Sequence, residues 1–471
     1  MDIAFVTPAI VPLTGDSELA HISGALPKAL RGLNHTVRVF APMLGTIEPD
    51  RISLARRLKE VEVDCDGEKI TVALYDGRLG GGASITLLAN DEFFGAVDKF
   101  GAQGDDQSDL ARRTAVFAAA ASELIRTADE SFDLVHAHGW PGAAVLDHLK
   151  KASSDDQTIP SVLSLHDSDD VGLFSADQAS RLDVPNDSKD ILMLQRGIDA
   201  ADRIVANSET YAGSLLDEEG THALKADLQE AAERFMGIRR GVDAANWNPA
   251  TDSHLAHRFS PTELVGKASS KASLQEQVGL PVRDDLPLLG LVLRGHAAAG
   301  LEAFEATATE LLRNDVQLMV CADEEAPLHA PLIALAERFP DRLAVESWSL
   351  GLEHQVTGSA DLLIIPPSEA EVGGQHLHAH RYGTLPIAPR VGAVADAVID
   401  CDGELRTGNG FTYLTADELL GTLQRAVAAF AQGARFDEVR KRAMRVDHSW
   451  ERSARHYEHV YRDLLEPTAE A

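Results

Sequence analysis

The residues of this chain that could hold an anion or move a proton fall into a few short runs. Arg294 closes an apolar run and could fork onto a phosphate, because a guanidinium offers paired N–H donors to two oxygens at once. Arg240 supplies a second cation. Pro367-Ser-Glu-Ala-Glu371-Val-Gly-Gly374 carries a carboxylate, Glu371, followed by Gly373 and Gly374, whose backbone N–H groups could face an anion. Val135-His-Ala-His-Gly-Trp140 sets His138 at the end of a strand pattern, a place for either proton chemistry or packing. His376, His378 and His380 follow the glycines, and two of them four apart share a helix face. A metal pair needs a third ligand, none is evident nearby beyond Glu371, and no metal is expected. Gly80-Gly-Gly82 lies between alternating runs and opens no helix, so it reads as a turn rather than a phosphate loop.

These residues need elements to position them. In the first half, Ile3–Val6, Thr36–Phe40, Leu134–His138, Ser161–His166 and Arg203–Ala206 are short apolar runs, the pattern of a parallel sheet covered on both faces. Between Lys59 and Leu88, the runs Val61–Val63, Ile70–Val72 and Ile85–Leu87 alternate with period two and predict inserted β-hairpins. The second half repeats the βα alternation with Leu288–Leu293, Gln317–Cys321, Leu343–Glu346, Asp361–Ile365 and Leu385–Ala388. Helical patterns lie between them, as at Leu301–Arg313 and Leu332–Arg338. Two successive alternations predict an α/β protein of two Rossmann-like domains facing a central cleft. The expected division is residues 1–245, residues 246–447 and a closing helix and tail over 448–471. In that last segment Trp450, Ala454, Tyr457, Tyr461 and Leu464 form one apolar stripe at helical spacing.

Seventy-four acidic residues against 43 basic ones leave a formal net charge of −31. Such a field repels nucleic acid and anionic membrane surfaces, so neither is expected as a partner. It also makes local positive charge decisive for any phosphorylated ligand. No apolar stretch approaches the length of a membrane span. Cys65, Cys321 and Cys401 are far apart and form no metal-ligand spacing, which suits a reduced cytoplasm.

One long stretch narrows the reading. Gly237-Ile-Arg-Arg-Gly-Val-Asp-Ala-Ala-Asn-Trp-Asn-Pro249, then Leu264-Val-Gly-Lys-Ala-Ser-Ser-Lys271 and Leu274-Gln275 with Gly279-Leu280, resembles the interdomain region of bacterial glycogen synthases and plant starch synthases. Met444-Arg-Val-Asp-His-Ser-Trp450 with Tyr457 and Tyr461 resembles that family's closing helix, which crosses back to the first domain. The resemblance implies a GT-B fold and a retaining transfer of glucose from ADP-glucose to an α-1,4-glucan, with no bound metal or other cofactor. Nucleotide sugar and α-glucan are then the expected partners.

Several positions that the family uses for phosphate depart from its pattern. Its lysine-threonine-glycine-glycine loop corresponds to Gly15-Asp16-Ser17-Glu18, where Asp16 reads as an N-cap and Glu18 as a first-turn acid. Both carboxylates would sit at the positive end of the helix dipole. Pro141 replaces a sugar-contacting histidine, for which His138 is the candidate substitute, and Asp167 after Ser164-Leu-His166 replaces an asparagine. Arg240 replaces an asparagine too. Of the family's arginine and lysine clamp, Arg294 is kept and the lysine position is Ala299.

The proline-serine-x-x-glutamate element places its glutamate at Glu371 when aligned from the left. Aligned from Tyr382-Gly-Thr-Leu-Pro386 it falls on Ala370, and a one-residue deletion after Glu371 reconciles the two. Trp348 aligns with an adenine-stacking aromatic, or is a rim tryptophan, and Thr384 is counted with the donor-binding residues. Three readings follow: a glucosyltransferase with weakened or altered donor contacts, an inactive scaffold that binds glucan or partners an active synthase, and a transferase for another activated sugar.

Overall fold

The computed structural model describes residues 1–15, 17–47, 52–65, 67–101, 106–128, 131–152, 158–182, 190–217, 222–294 and 304–466. The chain divides into two compact units, Met1–Arg240 with Trp450–Ala471, and Gly241–Ser449. Among the described residues no helix is long and apolar enough to cross a membrane.

The first unit is built on β1 (Asp2–Val6), β2 (Thr36–Pro42), β3 (Ala55–Arg56), β4 (Val61–Cys65), β5 (Glu68–Arg78), β6 (Ser84–Ala89), β7 (Leu134–His138), β8 (Ser161–Leu165), β11 (Arg203–Ala206) and β12 (Phe235–Gly237). A separate pair, β9 (Leu173–Phe174) with β10 (Ile191–Leu192), is antiparallel. The strand order is β12-β11-β8-β7-β1-β2-β6-β5-β3. Only the β5 neighbours are antiparallel, with β4 beside the first half of β5 and β3 beside the second.

The alternating run Ile85–Leu87 was expected in a hairpin insertion. It lies in β6, which forms an antiparallel hairpin with β5 and also joins the main sheet parallel to β2, with Ile85 opposite Val39. Its Ile85, Thr86, Leu87 and Leu88 are all buried, so the alternation reflects composition and not a solvated face. Gly80–Gly82 forms a 3-10 turn between β5 and β6, and Arg31 donates to the Gly81 carbonyl at 2.6 Å.

The second unit contains β13 (Leu288–Leu293), β14 (Gln317–Ala322), β15 (Leu343–Ser347), β16 (Leu362–Ile364), β17 (Leu385–Pro389) and β18 (Phe411–Tyr413), all parallel, in the order β15-β14-β13-β16-β17-β18. This is the doubly wound order in which the winding reverses between the first and fourth strands, opening a crevice beyond their C-terminal ends. The strands are apolar on both faces. Leu289, Leu291 and Leu293 pack into one cluster, while Leu288 and Val292 pack into another on the opposite face. Alternation along one strand thus feeds two layers of core.

Gly290 interrupts that apolar run for a steric reason. A Cβ there would lie 2.7 Å from Val356 and 2.9 Å from Leu363. The glycine lets the helix Leu350–Ser359 lie close against β13, which bears directly on the site below. The helix Trp450–Leu465 returns the chain to the first unit and packs on the helix Glu18–Gly32. Its Tyr461 hydroxyl lies 2.7 Å from His136 Nδ1.

Candidate functional site

In both units the candidate residues gather at the C-terminal ends of the parallel strands, the edge where open α/β sheets bind ligands. In the first unit, the helix Glu18–Gly32 follows β1, His138 ends β7, and Arg240 comes three residues after β12. Asp16 lies outside the described residues. The N-cap expected at Asp16 is made by Ser17, whose hydroxyl accepts from the Ala20 N–H at 3.2 Å. Glu18 stands in the first turn, as expected, and its carboxylate is ion-paired with Arg240. The Arg240 side chain is buried, while that of Glu18 is 28% exposed. The first-turn acid and the arginine therefore neutralise one another across 222 residues of sequence.

His138 belongs to a buried polar chain. Asn207 Nδ2 donates to the His166 carbonyl at 2.8 Å, so Asn207 Oδ1 accepts from His166 Nδ1 at 3.0 Å. His166 Nε2 is then the acceptor for His138 Nδ1–H at 3.0 Å. Burial holds all three nearby imidazoles neutral: His136 falls to about 3, His166 to about 4, and His138 lies well below its ordinary value. His138 is fully buried, with its ring 4.2 Å from those of Phe5 and His136. Packing is what this geometry supports.

In the second unit Arg294 follows β13 directly, Trp348 follows β15, and the helix Pro367–Val372 follows β16. Residues 295–303, including Ala299, lie outside the described residues. Arg294 is ion-paired with Glu353, a residue to which the sequence drew no attention. Glu353 sits in the first turn of the helix Leu350–Ser359, whose N-cap Ser349 accepts from the Leu352 N–H at 3.2 Å. Its second oxygen accepts from Trp348 Nε1 at 3.0 Å, and the Arg294 guanidinium carbon lies 5.9 Å from the Trp348 ring centroid. The Glu353 side chain is 1% exposed. The helix dipole and two donors together hold a buried charge. The only signal in the sequence was an acid one turn beyond a serine cap, which ordinarily reads as a dipole complement.

Glu371 is exposed, whereas its neighbour Ala370 is fully buried in the core. Gly392, with φ +44°, packs on the Glu371 backbone so closely that a Cβ would lie 2.2 Å from the Glu371 carbonyl oxygen. Gly373 and Gly374 are buried between the helices Pro367–Val372 and Gln375–Arg381.

Thr384 requires correction. It precedes β17, at the opposite edge of the sheet from Arg294, and is fully buried. Its hydroxyl accepts from Lys267 Nζ at 2.7 Å and lies 2.5 Å from the Thr357 carbonyl. At the same edge Asp361 is ion-paired with Lys271 and Arg440. Lys267, Lys271 and Thr384 close the base of this unit and have no place at a donor.

The three histidines also resolve into structure. His378 stacks on Trp247 with ring centroids 3.8 Å apart, and His354 stacks at 3.8 Å as well. His380 Nε2 donates to the Asn409 carbonyl at 3.1 Å, which leaves Nδ1 to accept from His448 Nε2 at 3.1 Å. Both nitrogens of His380 are thereby engaged, so it cannot join His376 as a metal pair. Burial, followed by the neighbouring His448, pushes His380 down to about 3.

A groove of about 450 Å³ lined by Ser161, Asp202 and Arg234 lies at the N-terminal ends of β8 and β11. Arg234 donates there to the Ile198 and Ala201 carbonyls, and Asp202 accepts from Ser161. Its polar groups serve the fold.

Two Rossmann-type units, each with a cation beyond its parallel strands, define an α/β protein of nucleotide-handling architecture. The family described as starch synthase catalytic domain matches residues 2–230. A glycogen synthase of Anaeromyxobacter sp. (strain Fw109-5) is 32% identical over 99% of this chain and 100% of its own length. One from Anaeromyxobacter dehalogenans (strain 2CP-C) is 33% identical over 98% and 100%. The catalytic domain of starch synthase IV from Arabidopsis thaliana, solved bound to ADP and acarbose, superposes with a TM-score of 0.87 at 24% identity, covering 98% of this chain and 99% of that one. The chain belongs to the glycogen synthase and starch synthase family of glucosyltransferases, and its fold is GT-B.

Proposed function

We propose that this protein transfers glucose from a nucleotide sugar, ADP-glucose in the first instance, to the end of an α-1,4-glucan, with donor contacts weaker than a fully cationic site would supply. The observation that carries this reading is the arrangement in the second unit. A cation (Arg294), an indole (Trp348) and an exposed carboxylate (Glu371) all follow the C-terminal ends of β13, β15 and β16, beside the reversal of winding between β13 and β16.

Breaking a glycosidic bond to a phosphate builds negative charge on the leaving group, and a guanidinium beside it lowers that barrier. Arg294 is assigned this task, with the Gly373 and Gly374 amides as further donors and Trp348 against the base. Glu371 faces the sugar. Its exposure, against the burial of Ala370, supports the alignment made from the left. Arg240 is paired with Glu18 and is left out of the transfer step. His138 has no exposed surface to offer a sugar and is left out of the transfer step.

Relatives carry names that imply the reaction; in this chain each of the two arginines carries a carboxylate. That pairing favours a second reading, a scaffold that binds glucan without extending it. Incubating the whole chain with labelled ADP-glucose and glycogen separates the two. Incorporation into glucan is expected, falling by about tenfold or more in Glu371→Gln, whose exposed position spares the fold. Glucan binding with no transfer from any nucleoside-diphosphate glucose would establish the scaffold instead.

A further inference from the structure

We propose that Glu353 determines how this chain selects its donor: by neutralising Arg294 from inside the fold, it makes recognition depend on the base stacked at Trp348 more than on phosphate charge. The inference rests on the nucleotide-sugar reading above and names how that site chooses among nucleotides.

Three observations carry it. First, Glu353 is committed. One carboxylate oxygen takes the Arg294 guanidinium and the other takes Trp348 Nε1–H, with almost no exposed surface. A ligand phosphate that displaced it would strand a buried carboxylate without its cation, a loss larger than one new phosphate contact returns. The pair therefore stays formed when a ligand arrives.

Second, a diphosphate approaching Arg294 meets a guanidinium whose charge is already balanced. It gains a hydrogen bond there but little net Coulomb attraction, because the two charges of the pair oppose one another at ligand distance. In a chain of net charge −31 this matters more than it would in a neutral one.

Third, the same carboxylate fixes the indole. The Nε1–H bond pins one edge of Trp348, the guanidinium lies against the ring, and the ring remains partly exposed. A flat aromatic surface locked before binding favours a stacked base, since little side-chain freedom is left to lose. One residue thus lowers the contribution of phosphate and raises that of the base.

Calorimetry with adenosine, AMP and ADP on the whole chain, for the native protein and Glu353→Gln, tests this. The glutamine keeps an oxygen for Trp348 and removes the charge. For the native chain, ADP is expected to bind within about threefold of AMP. In E353Q the preference for ADP over AMP should rise about tenfold or more, as one charge-assisted contact is released, with adenosine unchanged. An unchanged ratio in a folded E353Q overturns the proposal. So does a native chain that already prefers ADP a hundredfold, or one that binds none of the three.

Should E353Q fail to fold, the salt dependence of ADP binding to the native chain decides. A shallow dependence supports neutralisation, and a steep one overturns it. Glucosyl transfer is a separate readout. A chain that shows the expected ratio but transfers no glucose keeps this inference and loses the proposed activity.

Discussion

The two units solve the same electrostatic problem with the same parts and reach different results. In each, an arginine beyond a parallel strand is held by a glutamate in the first turn of a helix capped by serine: Ser17, Glu18 and Arg240 in one, Ser349, Glu353 and Arg294 in the other. The difference lies in burial and in the number of partners. Glu18 is 28% exposed and pairs with Arg240, whereas Glu353 is 1% exposed and bonds Arg294 and Trp348 through both oxygens. A carboxylate with part of its surface in water keeps some hydration if its pair opens, while a buried and doubly bonded one loses both partners with nothing to replace them. The first unit therefore holds a buried arginine with a partly exposed acid, and the second holds a partly exposed arginine with a buried acid.

Acid should separate the units most strongly. His136, His138 and His166 in the first unit, and His380 in the second, are held neutral by burial. Above the unfolded value of about 6.5 neither state is charged and nothing is lost. Below it the unfolded chain takes up protons that the folded chain refuses, so stability falls as pH drops toward about 4. Each histidine contributes up to about 1.4 kcal/mol per pH unit in that window. Peptide-resolved hydrogen exchange between pH 7 and 4 is expected to show the first unit opening before the second. Parallel loss in both would show that the three buried imidazoles do not set its acid limit.

The ion pairs themselves come next. Glu353→Ala strands Arg294 and the Trp348 N–H, and should destabilise the second unit by about 3 kcal/mol or more in urea melts. Glu18→Ala should cost the first unit less, because Glu18 is itself partly hydrated and, among the described residues, has no second bond of the Trp348 kind to lose. Double-mutant cycles with Arg294→Ala and Arg240→Ala sharpen this: coupling is expected to be clearly larger for the buried pair. Equal couplings would erase the distinction between a partly hydrated carboxylate and a buried one.

The caps should behave alike. Ser17→Ala and Ser349→Ala each remove one acceptor from a helix N-terminus, for an expected loss of about 1 kcal/mol apiece. A much larger effect at Ser349, read from the same melts, would mean that the cap positions Glu353 rather than merely ending a helix.

Much of this architecture was legible in the residues. Apolar runs such as Leu288–Leu293 and Gln317–Ala322 read as strands buried on both faces, and they lie side by side in the core. Five strands escaped notice: Ala55–Arg56, Leu173–Phe174, Ile191–Leu192, Phe235–Gly237 and Phe411–Tyr413, two or three residues each, are too short to show any period. The site was less legible. Arg294 was read at a strand end and directly follows β13, whereas Trp348 and Glu371 were named only through the family resemblance. Thr384 was misplaced because it sits beside a landmark in sequence, while the sheet carries it to the opposite edge. The cap moved one residue, from Asp16 to Ser17, within the ordinary uncertainty of a helix end.

By itself the sequence determined which residues fold together and which chemistry they could offer, since periodicity and residue type are local properties of a chain. It named Glu18 as a first-turn acid and Arg240 as an added cation in the interdomain stretch. What it did not contain was that one neutralises the other, because an ion pair depends on a distance closed by the whole fold across 222 positions. Glu353 makes the point more sharply. It lies 59 residues from Arg294, on a helix whose approach to β13 depends on the missing side chain at Gly290. Local pattern decided where the cations stand; tertiary packing decided how much of their charge a ligand meets.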